Sequence, residues 1–207
     1  MIFILELIGY CGILDLETII NLYNSYDEIP ESLLFEYIQN NKNTVFFEAL
    51  NKKAPLKMIV DLIELNRDFL QMKDENDNFP LHNAIKKRNI SEEIIYTILN
   101  AYPNAVLWKN ADGKLPLHLS IIFNKSFDII MRLIEIYPEG LRTKDKDGNI
   151  PLHLAAMYFD SLDNISYIYS KYPNGINEMD NFDNLPVNRA TMNKDPFKIV
   201  KFLLEKN

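Results

Sequence analysis

Few residues in this chain are suited to chemistry. His82, His118 and His153 are its three imidazoles, and they recur at intervals of 36 and 35 residues. Imidazole is a common metal ligand, so the repetition raises the question of a metal site. Lys144–Gly148, reading KDKDG, raises it again, because aspartates two apart followed by glycine can open a calcium loop. Cys11 is the single thiol and the one candidate for thiolate chemistry.

None of the three survives its own spacing. If Asp145, Asp147 and Gly148 take the third, fifth and sixth loop positions, Thr143 and Leu154 take the first and last. A calcium loop needs carboxylates there, so KDKDG reads as a β-turn at a hairpin tip. Equal spacing puts one histidine on each of several equivalent elements. Packed helices lie about 8–10 Å apart, whereas zinc ligands must each come within about 2 Å of one ion. The histidines are therefore assigned a structural role. Cys11 sits in the apolar run MIFILELIGYCGIL, far from the electropositive, partly exposed setting that activates a thiol. The sequence contains no glycine-rich phosphate loop, paired-carboxylate motif or His-Glu-x-x-His. No enzyme and no cofactor is expected.

Composition narrows the class further. Hydrophobic residues make up 47% and charged residues 25% of the 207 positions, the balance of a folded globular chain. Only 6 residues are glycine, which disfavours a turn-rich β-sandwich. The net charge is −7, and the densest basic run is Lys86-Lys87-Arg88. That argues against nucleic-acid binding, which needs a clustered basic face. The N-terminal run lacks a basic leader, carries Glu6 and is too short to span a bilayer. A buried N-terminal helix is expected, with no membrane insertion. One thiol cannot make an internal disulfide, which fits an intracellular, cytoplasmic protein.

The elements that would position these residues are repeats. Pro80, Pro116, Pro151 and Pro186 each precede an apolar residue, at separations of 36, 35 and 35. Tyr102-Pro103, Tyr137-Pro138 and Tyr172-Pro173 recur at 35. Each unit has one grammar. An Asp/Asn/Gly turn comes first. Proline opens a first helix, where its missing N–H costs nothing. A polar break follows, such as Asn124-Lys125-Ser126, and then a second helix with apolar residues at 3.6 spacing: Phe127, Ile130, Leu133, Ile134 and Tyr137. Tyr-Pro ends it, since a residue before proline leaves the α region. Such units bury their apolar faces only by stacking, which gives a solenoid.

The segments DGKLPLHLSI and DGNIPLHLAA, each followed by a helix pair and an extended arm, resemble the ankyrin repeat. The resemblance covers residues 76–207. It implies an all-α solenoid with short β-hairpin or extended arms between helix pairs, and four to five repeats. The expected division is an N-terminal helical cap or docking extension over 1–42 and repeats over 43–207. Within the latter, 43–75 is a degenerate unit, followed by 76–111, 112–146 and 147–181, with 182–207 as a C-terminal cap using polar residues. The sequence departs from the family pattern at the position before proline, where Phe79, Leu115, Ile150 and Leu185 replace threonine. Each histidine then needs a partner other than that hydroxyl. The family's Gly-His between the helices is absent, and Asn188 replaces the histidine of the last unit.

The resemblance implies a non-catalytic protein-binding module (a scaffold, adaptor or inhibitor) that uses its concave face and hairpin tips. By position, the exposed ends of the first helices are Lys86-Lys87, Ile122-Phe123, Met157-Tyr158 and Met192-Asn193. The middle pairs are apolar, which suits an interface or, equally, a buried contact with the second helix. Trp108 is either a binding hot spot or packed on the neighbouring arm. The expected partner surface comprises Trp108, Lys109, Asp112, Lys114, Ile122, Phe123, Lys144, Asp145, Asn149, Met157, Tyr158 and Phe182. Tip residues Asp74, Glu75, Asp112, Asp145, Asp147, Glu178, Asp180 and Asp183 suggest an acidic rim that steers a basic partner. Pro80, His82, Pro116, His118, Pro151, His153 and Pro186 form the structural motif. The alternative is a structural subunit of a larger assembly, such as a viral particle or organellar complex, docked through residues 1–42.

Overall fold

The computed structural model describes residues 15–26, 30–40 and 44–206. Cys11 and the apolar run that holds it lie outside them. The described chain is a succession of helix pairs: α1 Leu16–Ser25, α2 Glu31–Asn40, α3 Val45–Asn51, α4 Leu56–Leu65, α5 Pro80–Lys86 and α6 Glu92–Ala101. The succession continues with α7 Pro116–Ile122, α8 Phe127–Ile136, α9 Pro151–Tyr158, α10 Leu162–Lys171, α11 Pro186–Ala190 and α12 Pro196–Lys206.

The boundaries follow the sequence signals. Proline opens α5, α7, α9 and α11 at their first turn, where no N–H is missed. Ser91 and Ser126 cap α6 and α8 with their hydroxyls. Tyr102, Tyr137 and Tyr172 end the second helices in one shared non-helical conformation. Each following proline starts a 3₁₀ helix: Pro103–Leu107, Pro138–Arg142 and Pro173–Asn177. A fourth 3₁₀ helix, Arg67–Gln71, follows α4. Among the described residues no strand forms. Of the β-hairpin or extended arms expected from the sequence, the described arms are of the extended kind: a 3₁₀ turn, a few extended residues and a hydrogen-bonded loop.

Stacking supplies the core. The second helices α4, α6 and α8 bury the same four positions in turn: Met58, Ile59, Leu62 and Ile63; Ile94, Ile95, Ile98 and Leu99; Ile129, Ile130, Leu133 and Ile134. The first helices pack against one another in a row beside them. Between second helices, Phe127 of α8 meets Tyr167 of α10 edge-on at 5.1 Å, and Tyr169 of α10 meets Phe202 of α12 at 6.0 Å. Each such ring pair adds about 0.5–1.5 kcal/mol beyond its area. The last helix departs from the polar cap expected of it, because Phe197 and Leu204 stand 76% and 59% exposed.

Candidate functional site

The two ends of the first helices are built differently, and the site lies at one of them. At the N-terminal end each loop is organised by one Asx side chain. Asp74, Asn110, Asp145 and Asp180 each accept backbone N–H bonds from the residues two and four places on. Each closes its loop by donating its own N–H to the carbonyl four residues on, at 3.0 Å. The turn needs a left-handed residue three places after the Asx. Asp77, Gly113, Gly148 and Asp183 supply it, with φ between 55° and 81°. Neighbouring loops are joined by Ala111, Lys146 and Asn181, which donate to Asn76, Asp112 and Asp147.

Burial acts to raise the carboxyls of Asp74 and Asp180, but the hydrogen bonds they accept outweigh it and hold both below the usual carboxylate range. Arg189 adds an ion pair to Asp180 at 2.6 Å, and Lys114 one to Asp145 at 3.4 Å.

The histidines find the partner that the missing threonine left open. Nδ1 of His82, His118 and His153 accepts the N–H of Phe79, Leu115 and Ile150, the residue before proline, at 3.1–3.3 Å. Nδ1 therefore carries no proton. Nε2–H of His82 and His153 donates to the next unit's loop, at the carbonyls of Lys114 and Asn184, and that of His118 donates to Thr143 on its own unit's arm, all at 3.0–3.1 Å. Both nitrogens are thus engaged within the protein. Burial pushes His82 and His118 down to about 4 and lowers His153 as well, so all three are neutral near pH 7. Asn188 keeps only the local half of the device, accepting the N–H of Leu185 at 2.8 Å.

At the C-terminal end each unit is tied differently. Lys125 is buried, and its ammonium donates to the carbonyl of Lys87 at 2.7 Å. Desolvation lowers its pKa. Ser126 bonds the carboxylate of Glu92. Asn193 donates to the carbonyls of Ala156, Met157 and Phe159, satisfying the otherwise orphaned end of α9. These ties occupy the place of the absent Gly-His.

Between them runs a groove of about 710 Å³, bordered by Arg88, Ile122, Phe123, Met157, Tyr158 and Met192. A cleft of about 300 Å³ shares Ile122, Met157 and Tyr158 with it and extends toward the loops along Lys114, Leu154, Phe182 and Arg189.

The residues expected at the partner surface divide into groups. Ile122, Phe123 and Met157 are half-buried and Tyr158 is 41% exposed; together they line the groove. Lys114 and Phe182 border the adjoining cleft. Phe182 is 66% exposed, with Arg189 lying over its ring. Trp108 and Lys109 lie away from both. The Trp108 ring stacks on Phe79 at 5.3 Å yet stays 44% exposed. Lys109 and Lys144 donate to the carbonyls of Lys144 and Met179, tying arm to arm. Asp112 is exposed at a loop tip.

Asp145 and Asn149 also border the adjoining cleft, but both are buried, with Asp145 holding its loop together and Asn149 bonded to it, and are not the exposed tip residues expected. Asp180 in the expected acidic rim is buried for the same reason, and Asn193 in the expected exposed pairs is buried under its three carbonyls. Arg88, Asp160 and Lys194 border the groove unanticipated. They come from inter-helix segments whose length varies, so the proline register did not reach them.

A family model described as "Ankyrin repeats (3 copies)" matches residues 81–180. A Rickettsia felis protein named for ankyrin repeats is 33% identical over 88 residues, which is 42% of this chain and 41% of that protein. The chain therefore spans about two fifths of that relative's length. Among the described residues no helix is long and apolar enough to cross a membrane. With the proline-opened helix pairs, the loops and the histidine ladder in place, residues 81–180 are ankyrin repeats in an all-α solenoid.

Proposed function

We propose that this chain is a non-catalytic binding module that holds an apolar segment of a protein partner in the groove across α7, α9 and α11. Ankyrin repeats generally mediate protein–protein interaction and are typically not catalytic. The observation that carries the finer reading is the run of Ile122, Met157, Tyr158 and Met192 along one groove, in a row of helix ends that a solvated surface would make polar. Apolar and aromatic residues concentrate in interface cores, and tyrosine is enriched among hot spots. Tyr158 is open to a partner, and Met157 adapts to irregular surfaces because its thioether chain is flexible. The charged border mixes Arg88 and Lys194 with Glu92 and Asp160, so it orients a segment without favouring one sign of charge. Three members of the acidic rim, Asp74, Asp145 and Asp180, are engaged inside their loops and add little to the attraction of a basic partner.

The test is capture from native extract by crosslinking mass spectrometry, run in parallel with Tyr158→Lys. The reading predicts crosslinks concentrated on α7, α9 and their following turns, lost in the variant while its thermal melt is unchanged. Crosslinks that persist in the variant, or that map elsewhere, overturn it.

A further inference from the structure

The ladder of loops breaks at one atom. Among the described residues, Oδ1 of Asn149 is the buried side-chain oxygen left without a hydrogen-bond donor. Its residue is only 6% exposed. Buried polar groups are almost always paired, because an unpaired one keeps the full cost of leaving water.

Register explains the break. The fourth residue after each Asx meets the Asx of the next loop. Asn78 accepts from Nδ2 of Asn110 at 3.0 Å, and Lys114 reaches Asp145 at 3.4 Å. The same register sets Asn149 against Asp180, where the two loops touch through Asn181, which donates to Asp147 at 2.9 Å. Here the pairing fails, because an ionised carboxylate has no proton to donate. Despite its burial, the bonds Asp180 accepts keep it ionised near pH 7. Nδ2 of Asn149 is directed to Asp145, at 3.3 and 3.5 Å. Turning the amide over would only set its oxygen against Asp145 instead. The amide thus lies between two carboxylates, and neither loop supplies the donor that its oxygen lacks.

Asn149 borders the cleft of about 300 Å³ that adjoins the groove, beside Asp147, Tyr158 and Phe182. Lys114 and Arg189 border it too, but each is committed to a carboxylate. Asp147 is exposed, and no ion pair engages it among the described residues. The ring of Phe182, 66% exposed, offers an apolar wall along which the methylenes of a long side chain can lie. A buried acceptor, a free carboxylate and an apolar wall together suit a cation on a flexible stem. A neutral donor gains no charge attraction from Asp147, and an acidic side chain is repelled by it.

We infer that the partner segment held in the groove sends a lysine or arginine side chain into this cleft, where it donates to Asn149 and pairs with Asp147. This occupant presupposes the groove site proposed above and adds its chemistry: an apolar anchor beside Tyr158 and a basic residue toward the loops.

Peptides selected on the full chain from a phage-displayed random library test it. Those whose binding is lost in Tyr158→Lys are the groove binders. They should share a lysine or arginine at a constant distance from an apolar residue, and replacing that residue by methionine should weaken binding about tenfold. Asp147→Asn, at an exposed position, should weaken the same peptides. Asn149→Lys copies Lys114 and supplies the donor from within the chain. It should melt no lower than the parent and should abolish the preference for a basic residue. Groove binders that share no basic residue, or that are indifferent to Asp147→Asn, overturn the inference and leave the groove site standing. An Asn149→Lys chain that melts below the parent contradicts the unmet donor. A library that yields no peptide sensitive to Tyr158→Lys overturns the groove site and its basic occupant together.

Discussion

The two ends of the first helices solve the same problem, satisfying backbone groups at a helix terminus, in opposite ways. The N-terminal end uses one device four times: an Asx-centred loop, a left-handed residue three places on, and a ring or amide capping the residue before proline. The C-terminal end never repeats itself. Lys125 reaches Lys87, Asn193 spans three carbonyls, and Ser126 leans on Glu92. Repetition at one end fixes the spacing of the stack. At the other end, the side chains between the ties differ from unit to unit, and there the groove of Ile122, Met157 and Tyr158 opens. One end specifies the fold, and the other is the one we propose meets a partner.

Variants at the two ends should therefore fail differently. The largest effect comes from acid. The unfolded chain protonates its imidazoles near pH 6.5, while folded His82 and His118 resist protonation down to about 4. The folded pKa is depressed, so this stability is complete above pH 6.5. It is lost as pH falls toward 4, by about 3 kcal/mol for each of the two rings. Urea midpoints measured between those pH values check it, and a flat profile breaks the ladder argument.

Next comes Leu152→Ala, in the core beside His153, where the side chain is 2% exposed. It should cost about 2–5 kcal/mol, as buried large-to-small changes do. His118→Asn mimics the last unit: it keeps the local cap and loses the bond to Thr143. The expected loss is about 1–3 kcal/mol at neutral pH, with a shallower acid slope than the parent. At the other end, Asn193→Ala should cost about 1–2 kcal/mol by stranding the α9 carbonyls, with no change in acid slope. Tyr158→Lys should move stability by less than about 0.5 kcal/mol and abolish partner capture. Equal stability losses from His118→Asn and Tyr158→Lys would erase the distinction.

The same contrast explains what could be read from the sequence. The helix pairs, the Tyr-Pro stops and the structural role of the histidines were legible because Pro80, Pro116, Pro151 and Pro186 share one register. The missing threonine was visible too, but not its replacement. That required seeing the histidine's second nitrogen meet an arm or loop 25–32 residues away. Asp145 and Asn149 looked like exposed tip residues because acid-rich turns usually are. Only the loop geometry shows their side chains turned inward. Counting from proline reached Ile122 and Met157, which border the groove. It did not reach Arg88 and Lys194, because their segments keep no period. The apolar outer face of α12 was obscured by its lysines, which alternate with Phe197, Val200 and Leu204.

The central claim is that partner contact belongs to the unrepeated end. It is tested most directly by photo-crosslinking in native extract, with a photoreactive residue placed at Tyr158 and, separately, at Glu75, exposed on the first loop tip. The account predicts one dominant protein adduct from position 158, lost when Ile122→Asp is added, and none from position 75. Adducts from position 75 alone would contradict it.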